Sequence, residues 1–211
     1  MKNVVLIGAN GATMQVLEDQ LKDNPEVHLT LFLRNASRAN TADFSVPVSV
    51  FEGDATNQED LNNAIAGQDI VIVGLGGALA PFVEPIKQAM DKNNVSRLIF
   101  ILGLGIYDEV PGKFGEWNGS FDGMPDFKHA AQLIENSGLN YTILRPAWMS
   151  NRPEVNYETT VKGETFRGTV ITRASIADYI IKLINDPKLA NQGSIGLSEP
   201  GTDGDSPYPF I

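Results

Sequence analysis

The strongest constraint on the fold is a glycine-rich turn near the start of the chain. Val4–Ile7 is a short continuous apolar run, typical of a strand buried on both faces of a parallel sheet. It is followed by Gly8-Ala9-Asn10-Gly11-Ala12-Thr13-Met14, and the apolar residues of segment 12–23 recur at helical spacing. In such a strand–turn–helix unit, Gly8 permits a tight turn and Gly11 lets the backbone approach a pyrophosphate, while the helix N-terminus presents free N–H groups. The turn therefore predicts a dinucleotide site formed by Gly8, Asn10, Gly11, Ala12, Thr13 and Met14.

The rest of the chain alternates strand and helix patterns at short spacing. The predicted strands are Val4–Ile7, His28–Leu33, Val46–Phe51, Asp69–Val73, Arg97–Leu102, Tyr141–Leu144, Thr169–Ile171 and Ile195–Leu197. The predicted helices are 12–23, 58–66, 82–93, 126–137 and 173–185, the last capped by Thr172. This alternation predicts an α/β fold with a doubly wound parallel sheet.

The chain reads as one domain over residues 1–211, with residues 147–211 forming a small substrate-side lobe over the carboxyl edge of the sheet. Two connections are predicted as loops, at 35–45 and 103–125. The second is rich in glycine, proline and aromatic residues, and a loop of that length in a compact domain is usually functional.

Composition excludes several classes of function. A net charge of −10 disfavours affinity for nucleic acid or anionic membranes. The absence of cysteine excludes disulfides and thiolate metal sites, and two histidines far apart in sequence make a dedicated metal site improbable. Val4–Ile7 is too short for a signal-peptide core, and no apolar stretch reaches about 18 residues, the length of a spanning helix. The sequence predicts a soluble, cytoplasmic protein.

The residues that follow the second strand indicate which dinucleotide binds. Proteins specific for NAD place an acidic residue at this position to bind the ribose 2′-hydroxyl. Here the position holds Arg34, and Arg38 follows four residues later. Arginine can hold a 2′-phosphate through paired hydrogen bonds, so NADP(H) is favoured over NAD(H). The alternative is a pair of solvated arginines.

Two further strand ends carry candidate cofactor contacts. Asp54 and Ala55 follow the third strand, where the carboxylate could accept a hydrogen bond from the adenine amino group or cap a helix near residue 57. Gly74, Leu75 and Gly76 follow the fourth strand and would let a ribose or phosphate approach the backbone. A plain flexible turn is the alternative there.

Met14 departs from the dinucleotide fingerprint, because it stands at the position of the third glycine. That glycine normally allows close packing of helix on strand. Met14 must therefore push the helix outward or lie against the nucleotide, and its flexible side chain permits either.

Together these residues resemble the atypical short-chain dehydrogenase/reductases, in particular the NmrA-like and NAD(P)H-binding branch that includes flavin/biliverdin reductase B. The markers are GANGAT at 8–13, Arg34, Gly53-Asp54 and the string SGLNYTILRP at 137–146. The resemblance covers nearly the whole chain. It implies a Rossmann fold and NADP(H) binding, with Pro146 and Ala147 near the nicotinamide and Gly103 after the fifth strand.

The catalytic set of the wider superfamily does not carry over. Those enzymes use a Tyr as general acid, a Lys four residues later that lowers its pKa, and a Ser after strand five. No Tyr of this chain has Lys four residues later, and the Ser position holds Gly103. Tyr107 and Lys128 are the remaining donor candidates.

Without that set, reduction of a simple ketone is disfavoured, because a developing alkoxide needs a proton donor. Hydride transfer to a flavin, a quinone or a similar planar acceptor stays open, since these rings delocalise charge. Five aromatic residues are candidate walls of an acceptor pocket, with core or lid packing as the alternative: Tyr107, Phe114, Trp117, Phe121 and Trp148.

The leading hypothesis is thus an NADPH-dependent reductase of such an acceptor. A non-catalytic NADP(H) sensor that acts through a protein partner is the second reading. A sugar-nucleotide epimerase ranks below both, because it needs the Tyr-Lys pair and a larger substrate lobe.

Overall fold

The computed structural model describes residues 1–208 as an α/β protein. Its strands are β1 (Lys2–Ile7), β2 (Val27–Leu33), β3 (Val48–Glu52), β4 (Ile70–Val73), β5 (Arg97–Ile101), β6 (Asn140–Pro146), β7 (Trp148–Ser150), β8 (Glu158–Val161), β9 (Val170–Thr172) and β10 (Gly193–Ser198). Its α-helices are α1 (Ala12–Leu21), α2 (Gln58–Ile65), α3 (Ala80–Lys92), α4 (Gly112–Gly119), α5 (Met124–Glu135) and α6 (Arg173–Asn185).

Eight strands form one sheet in the order β3-β2-β1-β4-β5-β6-β10-β8. All neighbours are parallel except β10 and β8. The chain moves outward from β1 in one direction through β2 and β3, and then returns to β4 on the other side of β1. This reversal is the switch point at which doubly wound sheets bind ligands.

The sheet is covered on both faces. Val4 and Leu6 of β1 pack in a core with α1 and α6, whereas Val5 and Ile7 pack in a second core with α2, α3 and α5. Strand side chains alternate between faces, so a strand buried on both sides must be apolar throughout. The predicted doubly wound parallel sheet is confirmed.

The predicted loop at 103–125 was wrong in one respect, because it contains helix α4. Gly112, Gly115 and Gly119 lower its helix propensity and hide it from sequence patterns. A Cβ at Gly115 would overlap the Val110 carbonyl, so close packing of the helix against its own lead-in segment explains this glycine. The predicted loop at 35–45 similarly contains a short 3₁₀-helix, Ala36–Arg38.

Much of the region 147–211 extends the main sheet, since β10 pairs with β6 and β8 with β10. Helix α6 begins after Thr172, whose hydroxyl accepts from the Ser175 N–H at 3.0 Å as the sequence predicts. Within residues 1–208, no helix has the length and apolar character needed to cross a membrane. The glycine- and proline-containing segment after β10 runs in part beyond the described residues.

Helix α1 carries a buried acid, Glu18, on the face that packs against the sheet. Its side chain is 8% exposed, and its Oε1 has no hydrogen-bond partner within residues 1–208. Burial disfavours the charged form and raises the pKa of Glu18 to about 8. The folded protein therefore binds a proton that the unfolded chain releases at a lower pH.

We expect this carboxyl to make stability fall as pH rises from about 4.5, the ordinary pKa of the group, to about 8. Glu18→Gln should stabilise the protein at pH 8 by about 1 kcal/mol or more, with a smaller effect at pH 5. Urea unfolding at the two pH values measures this, with Glu26→Gln on the exposed surface as control. An equal effect of Glu18→Gln at both pH values would contradict the assignment.

Candidate dinucleotide-binding site

A cleft of about 520 Å³ opens where β1, β2, β3 and β4 reach their carboxyl ends. Its volume is within the range of small-molecule sites. It brings together ten of the residues predicted to bind a cofactor: Gly8, Asn10, Gly11, Arg34, Arg38, Asp54, Ala55, Gly74, Leu75 and Gly76. Sequence reasoning missed other lining residues, among them Phe32, Asn35, Thr56 and Phe82.

In the glycine turn, the backbone lies close to the end of β4. Gly8 has φ +90°, and a Cβ there would lie 2.7 Å from the Gly74 carbonyl oxygen. The Gly11 N–H donates back to the Gly8 carbonyl at 2.9 Å, which closes the turn. Helix α1 then begins with neither a side-chain cap nor an acidic residue in its described first turn. Its N-terminal N–H groups and dipole are available to a pyrophosphate.

Met14 is accommodated by a glycine on a neighbouring strand end. Its side chain is fully buried, and a Cβ at Gly74 would overlap Met14 Cε. The space normally left by the third glycine of the fingerprint is thus supplied by Gly74 from the opposite side. Met14 packs into the protein core, so the turn keeps its shape without that glycine.

Arg34 and Arg38 supply positive charge at the outer end of the cleft. Both side chains are exposed, and neither forms an ion pair with an acidic side chain in the described part of the chain. When the Asn10 amide is oriented with its oxygen toward Arg38, that oxygen lies 2.6 Å from Arg38 Nη2 and 2.9 Å from Arg38 Nε and Nη1. The 3₁₀-turn at Ala36–Arg38 places this guanidinium beside the glycine turn.

Asp54 does not cap the following helix, which corrects one of the two predicted roles. The N-cap of α2 is Asn57, which accepts from the Glu59 and Asp60 N–H groups at 2.9 and 3.2 Å. Asp54 Oδ1 instead accepts from the N–H and hydroxyl of Thr56, both at 2.8 Å. These hydrogen bonds, with a smaller contribution from Arg34, lower the pKa of Asp54. Its carboxylate stays ionised at the cleft wall as a hydrogen-bond acceptor.

The other predicted cofactor residues lie outside this cleft: Ala12, Thr13, Met14, Gly103, Pro146 and Ala147. Met14 is buried beneath Gly74, whereas Ala12 and Thr13 open helix α1 and the remaining three lie at the carboxyl ends of β5 and β6. Met149 Sδ lies 3.5 Å from Thr13 Oγ1, so the segment after β6 touches the first turn of α1. Pro146 and Ala147 are buried there. Their predicted place near a nicotinamide stays a prediction.

Tyr107 and Lys128 occupy separate hydrogen-bond networks. The Tyr107 hydroxyl donates to Glu135 Oε1 at 2.7 Å, and Lys162 Nζ lies 4.3 Å from the centre of its ring. Burial, with the Glu135 hydrogen bond and charge, raises the pKa of Tyr107. Lys128 pairs with Asp108 at 2.6 Å. A raised pKa makes a phenol a weaker acid, so this setting is opposite to that of a catalytic tyrosine.

A buried ion pair orders the segment after β5, and sequence reasoning missed it. Glu109 Oε1 lies 2.5 Å from Arg145 Nη1, with side chains 4% and 0% exposed. The Glu109 carboxylate also accepts from the Gly105 and Tyr107 N–H groups at 3.0 and 2.9 Å. Arg145 in turn donates to Ser194 Oγ and to the Thr160 carbonyl, both at 3.0 Å. The arginine of the SGLNYTILRP string therefore joins β6, β8 and β10 to the wall of the site.

The five predicted wall aromatics divide into two groups. Phe114 is buried in the core, and Tyr107 is held against Glu135 as described above. Trp117, Phe121 and Trp148 are exposed near the carboxyl edge, and the two indoles stack on each other. The exposed group has the most ring surface available to an acceptor.

The family of the chain is decided by a match to the family model described as NAD(P)H-binding, over residues 8–187. This range begins at the first glycine of the turn and runs past α6. The chain belongs to the NAD(P)H-binding family. The resemblance predicted from GANGAT, Arg34 and SGLNYTILRP is confirmed.

Solved structures of relatives agree with this assignment. The chain is similar to a Rossmann-fold NAD(P)-binding family protein from Shigella flexneri, at 35% identity and a TM-score of 0.84, with 99% of this chain and 98% of that chain covered. It is also similar to a short-chain dehydrogenase/reductase from Veillonella parvula DSM 2008 in complex with NADP, at 28% identity and a TM-score of 0.92, covering 98% and 99%. Among curated proteins, an uncharacterized sugar epimerase, YhfK, of Bacillus subtilis (strain 168) is 26% identical over 97% of this chain and 95% of that protein.

The cleft of this NAD(P)H-binding protein fits a dinucleotide on its own geometry. An uncapped helix N-terminus and a turn with no room for a Cβ at Gly8 suit a pyrophosphate. Phe82 lines the same cleft, is only half-buried and offers ring surface to an adenine. The fold is thus that of an oxidoreductase-like NAD(P)-binding protein.

Proposed function

We propose that this protein is an NADPH-dependent reductase that transfers hydride to a flavin, a quinone or a similar planar acceptor. The observation that carries the proposal is a well-formed dinucleotide cleft in a chain that has no Tyr followed four residues later by Lys. The cofactor supplies the hydride when it is bound, and the protein positions the rings. An acceptor that delocalises charge needs no strong acid from the protein.

The preference for NADP(H) over NAD(H) is supported by Arg34 and Arg38. Both line the cleft beyond the end of β2, where an NAD-specific protein would carry an acidic residue. The 2′-phosphate carries a charge of about −2, and guanidinium groups bind such oxygens through two parallel hydrogen bonds. The similar structure from Veillonella parvula was solved with NADP.

The state of Tyr107 supports an acceptor that does not need a general acid. Its hydroxyl is committed to Glu135, and its pKa lies above the ordinary value. Reduction of an isolated carbonyl would require a proton at the developing alkoxide, and a phenol of raised pKa gives it up reluctantly. A reduced flavin or quinone can take its proton from water.

The second candidate is a non-catalytic NADP(H) sensor that acts through a protein partner. The same missing Tyr-Lys pair favours it, because binding alone needs no acid. The relative from Bacillus subtilis is named as a sugar epimerase. A sugar-nucleotide epimerase would require that pair for its own proton transfers. We therefore rank it below the other two.

NADPH oxidation in the presence of riboflavin, FMN or menadione tests the proposal. We expect turnover with at least one acceptor and a rate with NADPH at least about tenfold above that with NADH at limiting coenzyme, which corresponds to about 1.4 kcal/mol. Absorbance loss of the nicotinamide, matched to reduction of the acceptor, gives the measurement.

Tyr107→Phe is the variant that separates the two kinds of chemistry in this assay. It removes the hydroxyl and keeps the ring beneath Lys162, so we expect a change in kcat of less than about threefold. If NADPH binds but no acceptor on the panel is reduced, the reductase proposal fails and the sensor reading replaces it. A large loss of kcat in Tyr107→Phe would instead restore Tyr107 as a catalytic acid.

A further inference from the structure

The two tryptophans of the chain stack on each other at the carboxyl edge of the sheet. Their ring centres are 4.7 Å apart and their planes differ by 17°. Trp117 nevertheless remains 45% exposed and Trp148 37% exposed. Large aromatic rings usually lose most of their exposed surface in a core, so this pair is set apart from it. Its exposed surface points to a contact that the free protein lacks.

The position of Trp148 ties the pair to the dinucleotide site. Trp148 opens β7 directly after Pro146 and Ala147, at the carboxyl end of β6. The next residue, Met149, touches Thr13 in the first turn of α1. The pair therefore stands where β1, β5 and β6 end, across β1 from the arginines of the cleft. A dinucleotide that lies across the switch point would extend toward this side.

The second ring of the stack, Trp117, belongs to helix α4, which is only partly buried in the core. Within α4, Phe114 and Asn118 are the buried residues, and Trp117 lies on the exposed face. Gly105 before the helix and Gly112 at its first position both have positive φ. The Trp148 indole N–H donates to Asn118 Oδ1 at 3.0 Å, and Asn118 is buried, so this hydrogen bond orients the Trp148 ring while α4 stays in place. The Trp148 ring is thus held in place. The Trp117 ring can move off the face of Trp148 without breaking a side-chain hydrogen bond made by Trp117.

We propose that the acceptor ring stacks on Trp148 as its platform and that Trp117 occupies this stacking position in the free protein. This inference rests on the proposed function and names the residues that select its substrate. A planar ring of two or three fused cycles would replace one flat contact on Trp148 by another. Non-planar or saturated substrates gain nothing from the exchange, so the pair selects for flat acceptors.

The two tryptophans then have opposite effects on acceptor binding. Trp148→Ala removes the platform and should raise the KM for riboflavin or menadione at least about tenfold. Trp117→Ala removes the competing ring and should leave the KM unchanged or lower it by about threefold. Trp148→Phe keeps a flat face and should recover part of the affinity. The affinity for NADPH should change much less than the KM for the acceptor in all three variants, because neither indole lines the cleft of the glycine turn and the arginines.

A measurement without turnover separates this inference from the reductase proposal. The chain has two tryptophans, so its NMR spectrum contains two indole N–H resonances, which Trp117→Phe assigns. Riboflavin or menadione, titrated in the presence of NADP⁺, should shift the Trp117 resonance as the ring leaves the face of Trp148. NADP⁺ alone should not produce that shift.

Three results would overturn the inference. The first is that neither acceptor shifts the Trp117 resonance. The second is that Trp117→Ala raises the KM as much as Trp148→Ala does. The third is that Trp148→Phe has the same high KM as Trp148→Ala. Turnover accompanied by any of these leaves the reductase proposal standing and removes the tryptophan platform. Displacement of Trp117 without turnover supports the platform and removes the reductase.

Discussion

Arg34→Glu is expected to reverse the coenzyme preference of the protein. In the wild type, the Arg34 guanidinium lines the cleft where the 2′-phosphate would lie, free of an ion pair with the described acidic side chains. A charge-assisted hydrogen bond contributes about 1.5–3 kcal/mol, so its loss weakens NADPH binding by roughly ten- to a hundredfold. The new carboxylate would repel the phosphate and accept from the 2′-hydroxyl of NADH, which should bind more tightly than before.

Calorimetric titration with both coenzymes measures the effect, with Arg167→Glu as the matched control. Arg167 is exposed and lies outside the cleft, and its substitution changes net charge by the same amount. We expect the control to alter neither affinity by more than about twofold, since charges beyond a Debye length of about 10 Å are screened in 0.1 M salt. Unchanged NADPH affinity in Arg34→Glu would leave Arg34 as a solvated arginine.

Breaking the Glu109–Arg145 pair is expected to cause the largest loss of stability. Both side chains are buried, so removal of either one leaves the other as an unpaired buried charge. Removal of one member of such a pair costs about 3–5 kcal/mol. Arg145→Met should cost that much in urea unfolding, because the Glu109 carboxylate would remain charged in the core.

The exposed pair of Lys113 and Asp205 provides the control for this prediction. Its atoms are 3.4 Å apart, and its side chains are 78% and 67% exposed. Lys113→Met should change the free energy of unfolding by less than about 1 kcal/mol. The double variant Glu109→Gln/Arg145→Met should recover part of the loss, since it leaves no unpaired charge. A loss below 1 kcal/mol in Arg145→Met would show that the pair does not stabilise the site wall.

The cofactor half of the site was predictable from sequence because its determinants are local. Gly8 and Gly11 act within one turn, and Arg34 is placed by the end of its own strand. Parallel strands deliver their carboxyl ends to one edge, so residues that follow β1 to β4 must meet there. The doubly wound parallel sheet follows from the same alternation of apolar strands and amphipathic helices.

What sequence reasoning missed depends on pairs of residues distant in the chain. Nothing near Met14 reveals that Gly74 leaves room for it. From sequence alone, Glu109 is an acidic residue in a predicted loop, and only the fold shows that it pairs with Arg145. Asp54 is as plausible a helix cap as Asn57 from spacing alone, and only the backbone path selects between them. These are contacts of tertiary structure, and neither periodicity nor turn chemistry encodes them.

Helix α4 was missed for a different reason. Its glycines lower helix propensity, and Phe114 and Trp117 are too few to mark a helical stripe by themselves. It is stabilised by burial of Phe114 and Asn118 and by the stack of Trp117 on Trp148. The helix forms because tertiary contacts outweigh local preference.

The claim that the cleft is an NADP(H) site is tested most directly by calorimetric titration of the wild-type protein with NADPH and with NADH. The geometry of Arg34 and Arg38 predicts one binding site per chain and an affinity for NADPH at least about tenfold higher, equivalent to about 1.4 kcal/mol. Raising the salt concentration should narrow the difference in affinity, because the arginines that would bind the 2′-phosphate are exposed. Equal affinities for the two coenzymes, or no binding of either, would contradict the account.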